Sequence, residues 1–213
     1  SMFRWYDGTR NHDHMHIYQA WDFAITEKKS NDWTVGVTIG VDFNDNIHLL
    51  EMRRFRTSDG GFIEDQIIDM YRNYKDVRIG FEDGQIFKTL RASLVKRCAE
   101  SGVYIPLDDK RNILVPVTDK KVRATPLQAR MQHGKVFFPR GSEHYEAIKK
   151  EFLHFPAGAN DDIIDALAWA VRLTVGNQPP ATKVTKSRQP ELTVAQKIQK
   201  HYRRGNGHGH MAA

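Results

Sequence analysis

The chain has 213 residues, 40% of them hydrophobic, with a formal net charge of +6 and an isoelectric point near 9.4. Its one cysteine, Cys98, excludes an internal disulfide framework and a cysteine-based zinc site, and no apolar run reaches the roughly 18–20 residues that span a bilayer. Net basicity without a membrane segment or a secretory leader favours a polyanionic partner, because phosphate neutralisation supplies most non-specific nucleic-acid affinity.

Residues 1–14 are polar and read as an irregular N-terminal extension; the opening Ser-Met and the closing HGHMAA read as cloning remnants. Residues 15–25, 33–43 and 47–56 alternate apolar and polar groups, which predicts three strands in an antiparallel meander with a turn at FNDN. The period then changes. Helices are predicted over 62–74 and 84–101, the second closed by Gly102, with a short buried strand at 77–82 between them. VYIPL, 103–107, is the predicted fifth strand. A basic segment over 110–139 carries a predicted helix at 118–132 and a short strand at KVFF, and further helices are predicted at 142–153 and 160–175, the last capped by Asn160 or Asp161. Beyond Gly176 a flexible, basic C-terminal tail over 177–213 is expected, with a short basic helix at 191–204. The compact region is thus 15–176: an α/β fold with a mixed five-stranded sheet flanked by helices on both faces.

Three acidic sites fall where elements should end or begin. Asp22 and Glu82 close apolar strands, and Asp161, Asp162 and Asp165 open an apolar helix. The i, i+3 and i, i+4 spacings put Asp162 and Asp161 on one helix face with Asp165. The dipole favours acids at a helix start, but Asp165 lies one turn in and leads into ALAWAV, which capping does not explain. In a sheet of order 3-2-1-4-5 with strand 2 antiparallel, the first strand lies beside the fourth, so Asp22 and Glu82 become neighbours and a later helix can deliver the third acid. Converged carboxylates raise one another's pKa and call for a divalent cation. Two ions about 3.5–4 Å apart, one activating water and one stabilising the leaving oxygen, would make a phosphodiester-cleaving centre.

The segments YQAWDFA, GFEDGQIFKTL, DKKVRATPLQARMQHGKVFFP and NDDIIDALAWA, within residues 15–175, resemble the ribonuclease H-like nuclease domain at the C-terminus of tailed-phage terminase large subunits. The resemblance implies a largely sequence-nonspecific endonuclease that cuts concatemeric viral duplex DNA during genome packaging, in the cytoplasm of the infected bacterium. It implies two divalent ions, Mg²⁺ or Mn²⁺, and partners beyond double-stranded DNA: an N-terminal ATPase domain, the small terminase subunit and the portal. By position it carries catalytic roles to Asp22, Glu82 and Asp162, with Asp161 and Asp165 as further metal ligands. The family often has His-Asp-Asp in the last motif; Asn160 stands where that His would be, so all three aspartates stay candidates. No GxxxxGK[ST] phosphate loop is present, so this chain is expected not to hydrolyse ATP.

Lys110, Arg111, Lys120, Lys121, Arg123 and Arg130 form the densest basic stretch and are the candidate DNA-backbone contacts. His12, His14 and His16 alternate but lack a partner cluster with zinc-site spacing. Two other readings stay open: a Holliday-junction resolvase or ribonuclease H of the same fold, and a non-catalytic module that binds DNA or a portal.

Overall fold

A computed structural model describes residues 3–24, 33–116, 119–158 and 160–175. One mixed sheet of seven strands organises them. The strands are β1 (Arg4–Tyr6), β2 (His16–Asp22), β3 (Thr34–Val41), β4 (Ile47–Phe55), β5 (Arg78–Glu82), β6 (Ile113–Leu114) and β7 (Val136–Pro139), in the order β1-β7-β4-β3-β2-β5-β6. Strand β3 runs antiparallel to both β2 and β4, and the remaining pairs are parallel. The helices are α1 (Gly60–Arg72), α2 (Gln85–Glu100), α3 (Lys120–Gln132), α4 (Tyr145–His154) and α5 (Asp162–Thr174).

Strand alternation divides the core in two. Ile17, Trp21, Ile79 and Phe81 pack with α1 and α2 on one face, while Tyr18, Ala20, Val35 and Val37 pack with α3, α4 and α5 on the other. The first face holds Trp21 so tightly against β3 that only glycine fits opposite: a Cβ on Gly36 would stand 2.6 Å from the indole ring. Phe23, Phe81 and Phe87 stack with nearly parallel rings, which ties the chain after Asp22 to the start of α2 after Glu82. Thr34 completes the anchor: its Oγ1 accepts from the Ala24 amide at 3.1 Å and donates to the Ala24 carbonyl at 2.9 Å.

The central order β4-β3-β2-β5-β6 is the expected 3-2-1-4-5 order with one substitution. The fifth strand is Ile113–Leu114, not 103–107. Pro106 has no amide to give a ladder, and the Leu107 amide turns back to the Ile105 carbonyl at 2.8 Å. Ile105 and Leu107 are buried because they pack in the α1–α2 core rather than in the sheet. At the opposite edge, β7 at the expected KVFF position pairs with β4, and Arg4–Tyr6, read as irregular from sequence, pairs with β7 as an edge strand. The five helices lie where the periodicity places them, and Asp161 is the N-cap of α5. The tail from residue 176 onward lies outside the described residues.

Candidate active site

Register aligns the acids. Asp22 pairs with Val35, Val35 pairs with Arg54, and the Trp21–Phe81 pairing puts Asp22 beside Glu82 one step on; Glu82 in turn pairs with Leu114. The row Arg54, Val35, Asp22, Glu82 therefore crosses four strands at one end of the sheet, on the face covered by α5. Helix α5 lies flat on this face because Gly80 leaves room: a Cβ there would meet Leu114 and Leu173 at 2.8 and 2.9 Å. Its start thereby brings Asp162 and Asp165, both buried, over the acidic end of β2 and β5.

The charges of Glu82, Asp165 and Asp162 all act on Asp22. Asp22 keeps part of its surface open, yet protein surrounds its carboxyl. Burial first, then a hydrogen bond shared with Glu82 and the charges of Glu82, Asp165 and Asp162, push it well above the usual carboxylate range. Asp161 is not among the charges that chiefly act on Asp22. It pairs with Lys120 beside Asp165, whose carboxyl its charge also raises.

Lys120 brings a positive charge to the site. Its Nζ lies 2.9 Å from both Asp161 Oδ1 and Asp165 Oδ2. Burial pulls this ammonium down, but the bonds and charges of the two aspartates outweigh it and the net shift is upward. Asp165 is raised by burial despite Lys120 and Arg123, whose Nη2 stands 3.4 Å from its Oδ1. Arg123 also lies over the ring of Trp169, one turn further along α5, at 4.9 Å from the centroid. Both basic residues were assigned from sequence to a DNA-facing stripe. Packing of α3 on α5 turns them to the acids instead, and Arg123 is left with 9% of its side chain exposed. Of the other candidates, Arg130 pairs with Asp45 at 2.8 Å, Arg111 pairs with Asp109 at 2.6 Å, and Lys110 and Lys121 are exposed.

Sequence reasoning missed Glu151. Asp161 makes no side-chain cap bond, so the first amides of α5 need another acceptor. Glu151, on α4, supplies it: Oε1 accepts from the Ile164 amide at 3.0 Å, and the Ile163 amide also bonds the carboxyl. Burial raises Glu151 to about 7, against the lowering pull of those amides; Asp162 adds to the rise and Arg54 opposes it. A signal existed in the sequence, since Glu151 stands three residues after buried Ile148 on the apolar face of its helix.

The donor set is hard oxygen throughout, which suits Mg²⁺ or Mn²⁺. Among the described residues no three His, Cys, Asp or Glu side chains surround a common point. Lys120, paired with Asp161 and Asp165, and Arg123 beside Asp165 bring positive charge to the α5 side of the group. The chain is not extended from His12 to His16: the Met15 amide donates to the His12 carbonyl at 3.0 Å, and the His12 ring lies 5.0 Å from that of Tyr74, centre to centre. A cleft of about 580 Å³, lined in part by Tyr6, Arg10, Glu51, Tyr74 and His144, includes none of the acids.

A family model described as the terminase RNaseH-like domain matches residues 19–173. The fold is similar to the human cytomegalovirus terminase nuclease domain soaked with Mn (TM-score 0.55, 14% identity, 78% of this chain and 86% of that one). It is equally similar to the large terminase nuclease of thermophilic phage G20c with bound magnesium (TM-score 0.55, 14% identity, 80% and 93%). The HK97 bacteriophage large terminase matches over 76% of this chain and 40% of its own length (TM-score 0.51, 11% identity). No curated protein sequence matches this chain.

Proposed function

Because the chain belongs to the terminase ribonuclease H-like family, we propose that it is a metal-dependent endonuclease that cuts duplex viral DNA during genome packaging, without base specificity. The observation that carries the reading is the convergence of the acids: Asp22 and Glu82 stand side by side at adjacent strand ends, and the start of α5 sets buried Asp162 and Asp165 over them. Like charges gathered this closely call for a cation among them. The similar folds whose structures hold Mn or Mg are consistent with this chemistry.

Asp22 and Glu82 would hold one divalent ion between them, and Asp162 with Asp165 would complete the shells of a second. Such ions would supply a nucleophilic water at neutral pH and charge to offset the scissile phosphate. The protein's own part is positional. The aromatic stack fixes Asp22 and Glu82 at adjacent strand ends. Glu151 secures the start of α5 and thereby the direction of Asp162. The charges of Lys120 and Arg123 oppose the burial that raises the Asp165 carboxyl. Hydrolysis by water needs no side-chain nucleophile, and neither the acids nor their neighbours provide one.

The test is supercoiled plasmid incubated with the protein in Mn²⁺, Mg²⁺, Ca²⁺ or EDTA, beside Asp22→Asn. Cutting in Mn²⁺ or Mg²⁺, absent in EDTA and in the folded variant, is the expected result. A folded Asp22→Asn protein that cuts at the wild-type rate sinks the assignment. Preference for a four-way junction or an RNA–DNA hybrid over plain duplex would move the substrate to a resolvase or ribonuclease H.

A further inference from the structure

Arg4, Phe137, His48, Gly40 and Ile17 form one row across β1, β7, β4, β3 and β2, far from the acids. Val136 and Phe138 point into the α5-side core, so alternation turns Phe137, and with it Arg4 and Tyr6, to the opposite face. The guanidinium carbons of Arg4 and Arg10 lie 5.8 and 6.0 Å from the centre of the Phe137 ring, and that of Arg10 lies 4.7 Å from the centre of the Tyr6 ring. His48 stacks on Phe137 at 5.0 Å, centre to centre.

Two exposed guanidiniums beside one ring repel each other unless an acid lies between them. Among the described residues no carboxylate stands within ion-pair distance of Arg4 or Arg10. The acids of this region are engaged elsewhere: Asp7 with Arg140 at 3.6 Å, Asp42 with His48 at 3.1 Å, Glu51 with Arg53 at 3.0 Å and Glu143 with His144 at 3.4 Å. The Arg10 charge is felt inside the protein. Burial pushes the His48 imidazole down, against Asp42, and Arg10 adds to the fall; burial lifts the Tyr6 hydroxyl to about 12 against the same charge.

Arg10 also lines the cleft of about 580 Å³. Strand β7 pairs with β4 only at Val136 and Phe137, and the cleft opens where that pairing stops, along residues 49–52. There Tyr6 Oη donates to the Leu49 carbonyl, and His144 Nε2 lies 3.1 Å from the Met52 carbonyl. Side chains thus take up carbonyls of the β4 edge, which leaves a pocket with Tyr6 and Tyr74 as walls and Arg10 at its side rather than a berth for a further strand. A guanidinium laid on a ring keeps its planar N–H edge for a carboxylate, and stacking fixes that edge beforehand. Tyrosine and arginine around a concave site match the composition of protein interfaces.

We propose that this cleft, with Arg10 at its side and Arg4 beside it, docks an acidic segment of a partner protein. A carboxylate of the segment meets Arg10, and a neighbouring aromatic side chain enters the cleft. Arg4 stands four strand spacings, about 19 Å, across the sheet from β2, and its row lies five residues, about 17 Å, down the strand from Asp22. Roughly 25 Å and the sheet itself therefore separate it from the acids, so a duplex seated on them does not reach it. The choice of protein over DNA takes the position of the duplex from the nuclease reading.

The experiment is fluorescence anisotropy at about 50 mM salt with a labelled peptide of glutamates around one tyrosine, and its glutamine counterpart, for the wild type, Arg10→Ala, Arg10→Lys and Arg4→Ala. The wild type should bind the glutamate peptide and not the glutamine one. Arg10→Ala should weaken binding roughly 10-fold or more, and Arg4→Ala less. Arg10→Lys should fall between, since it keeps the charge and loses the fork. Equal binding of the two peptides, no binding by the wild type, or wild-type affinity in Arg10→Ala overturns the site. A labelled duplex and plasmid cutting in Mn²⁺ are measured alongside, and Arg10→Ala should leave both unchanged. Duplex affinity or cutting that falls with Arg10→Ala would assign the surface to DNA and also overturns the proposal. Peptide binding that depends on Arg10 in a protein that never cuts supports the docking site while removing the nuclease reading. Cutting without Arg10-dependent peptide binding does the reverse.

Discussion

Replacing Glu151 with Gln keeps the side chain's length and one oxygen to accept the α5 amides, but removes its charge. Glu151 is 5% exposed, and burial lifts its carboxyl to about 7, against 4.5 for an ordinary glutamate. Below pH 4.5 the folded and unfolded chains both hold the proton. Between 4.5 and 7 the unfolded chain has released it and the native protein has not, so native stability falls as pH rises. The loss is roughly 1.4 kcal/mol per pH unit, about 3 kcal/mol in all, and it is complete above the folded pKa. The Gln variant has no such term. Urea denaturation in EDTA should therefore show the two proteins within about 1 kcal/mol of each other at pH 4.5, with the variant gaining about 3 kcal/mol on the wild type by pH 8. Other titrations largely cancel in the difference. A difference that stays flat across this range refutes the argument. A wild type that gains on the variant as pH rises refutes it more pointedly, since Arg54 would then be holding Glu151 ionised.

Three further outcomes follow from the same geometry. Asp22→Asn should lower metal-dependent cutting at least about 100-fold. In EDTA it should also raise the urea midpoint at pH 8 and not at pH 4: the Asp22 pKa is raised on folding, so its stabilising contribution is present at low pH and lost as pH rises. Lys120→Ala removes one of two cations from buried Asp165 and should destabilise by about 1–2 kcal/mol, less than for a fully buried pair because Lys120 is half exposed and Arg123 remains; a neutral effect in thermal denaturation would show that Arg123 alone suffices. Gly36→Ala drives a methyl into the Trp21 ring and should cost about 1–3 kcal/mol by chemical denaturation, whereas a wild-type midpoint would mean the indole can move.

The acids were legible because each terminates a strongly patterned element. Alternation in β2 and β3 and the apolar run after Asp165 fix which face each carboxylate takes, and register does the rest. Local pattern fails where pairing or packing is remote. Strand β6 has two residues, and no periodicity exists in two residues. Strand β1 is a strand only because β7, over 130 residues later, lies beside it. VYIPL is as apolar as a strand, but its apolar groups serve helix packing. The charges of Lys120 and Arg123 look solvent-directed from α3 alone; only the contact with α5 turns them inward.

Helix α5 has eleven of its thirteen residues buried, so the element that presents Asp162 and Asp165 is also a central member of the core. Segments of this kind open to solvent only when the whole domain unfolds, and their amide protons exchange at the global rate. The acidic centre therefore has no local breathing mode through α5. Its affinity for a cation is tied to the domain's folding equilibrium, and a substitution far out in the sheet would reach the site as a change in the fraction of molecules folded rather than as a change in its shape.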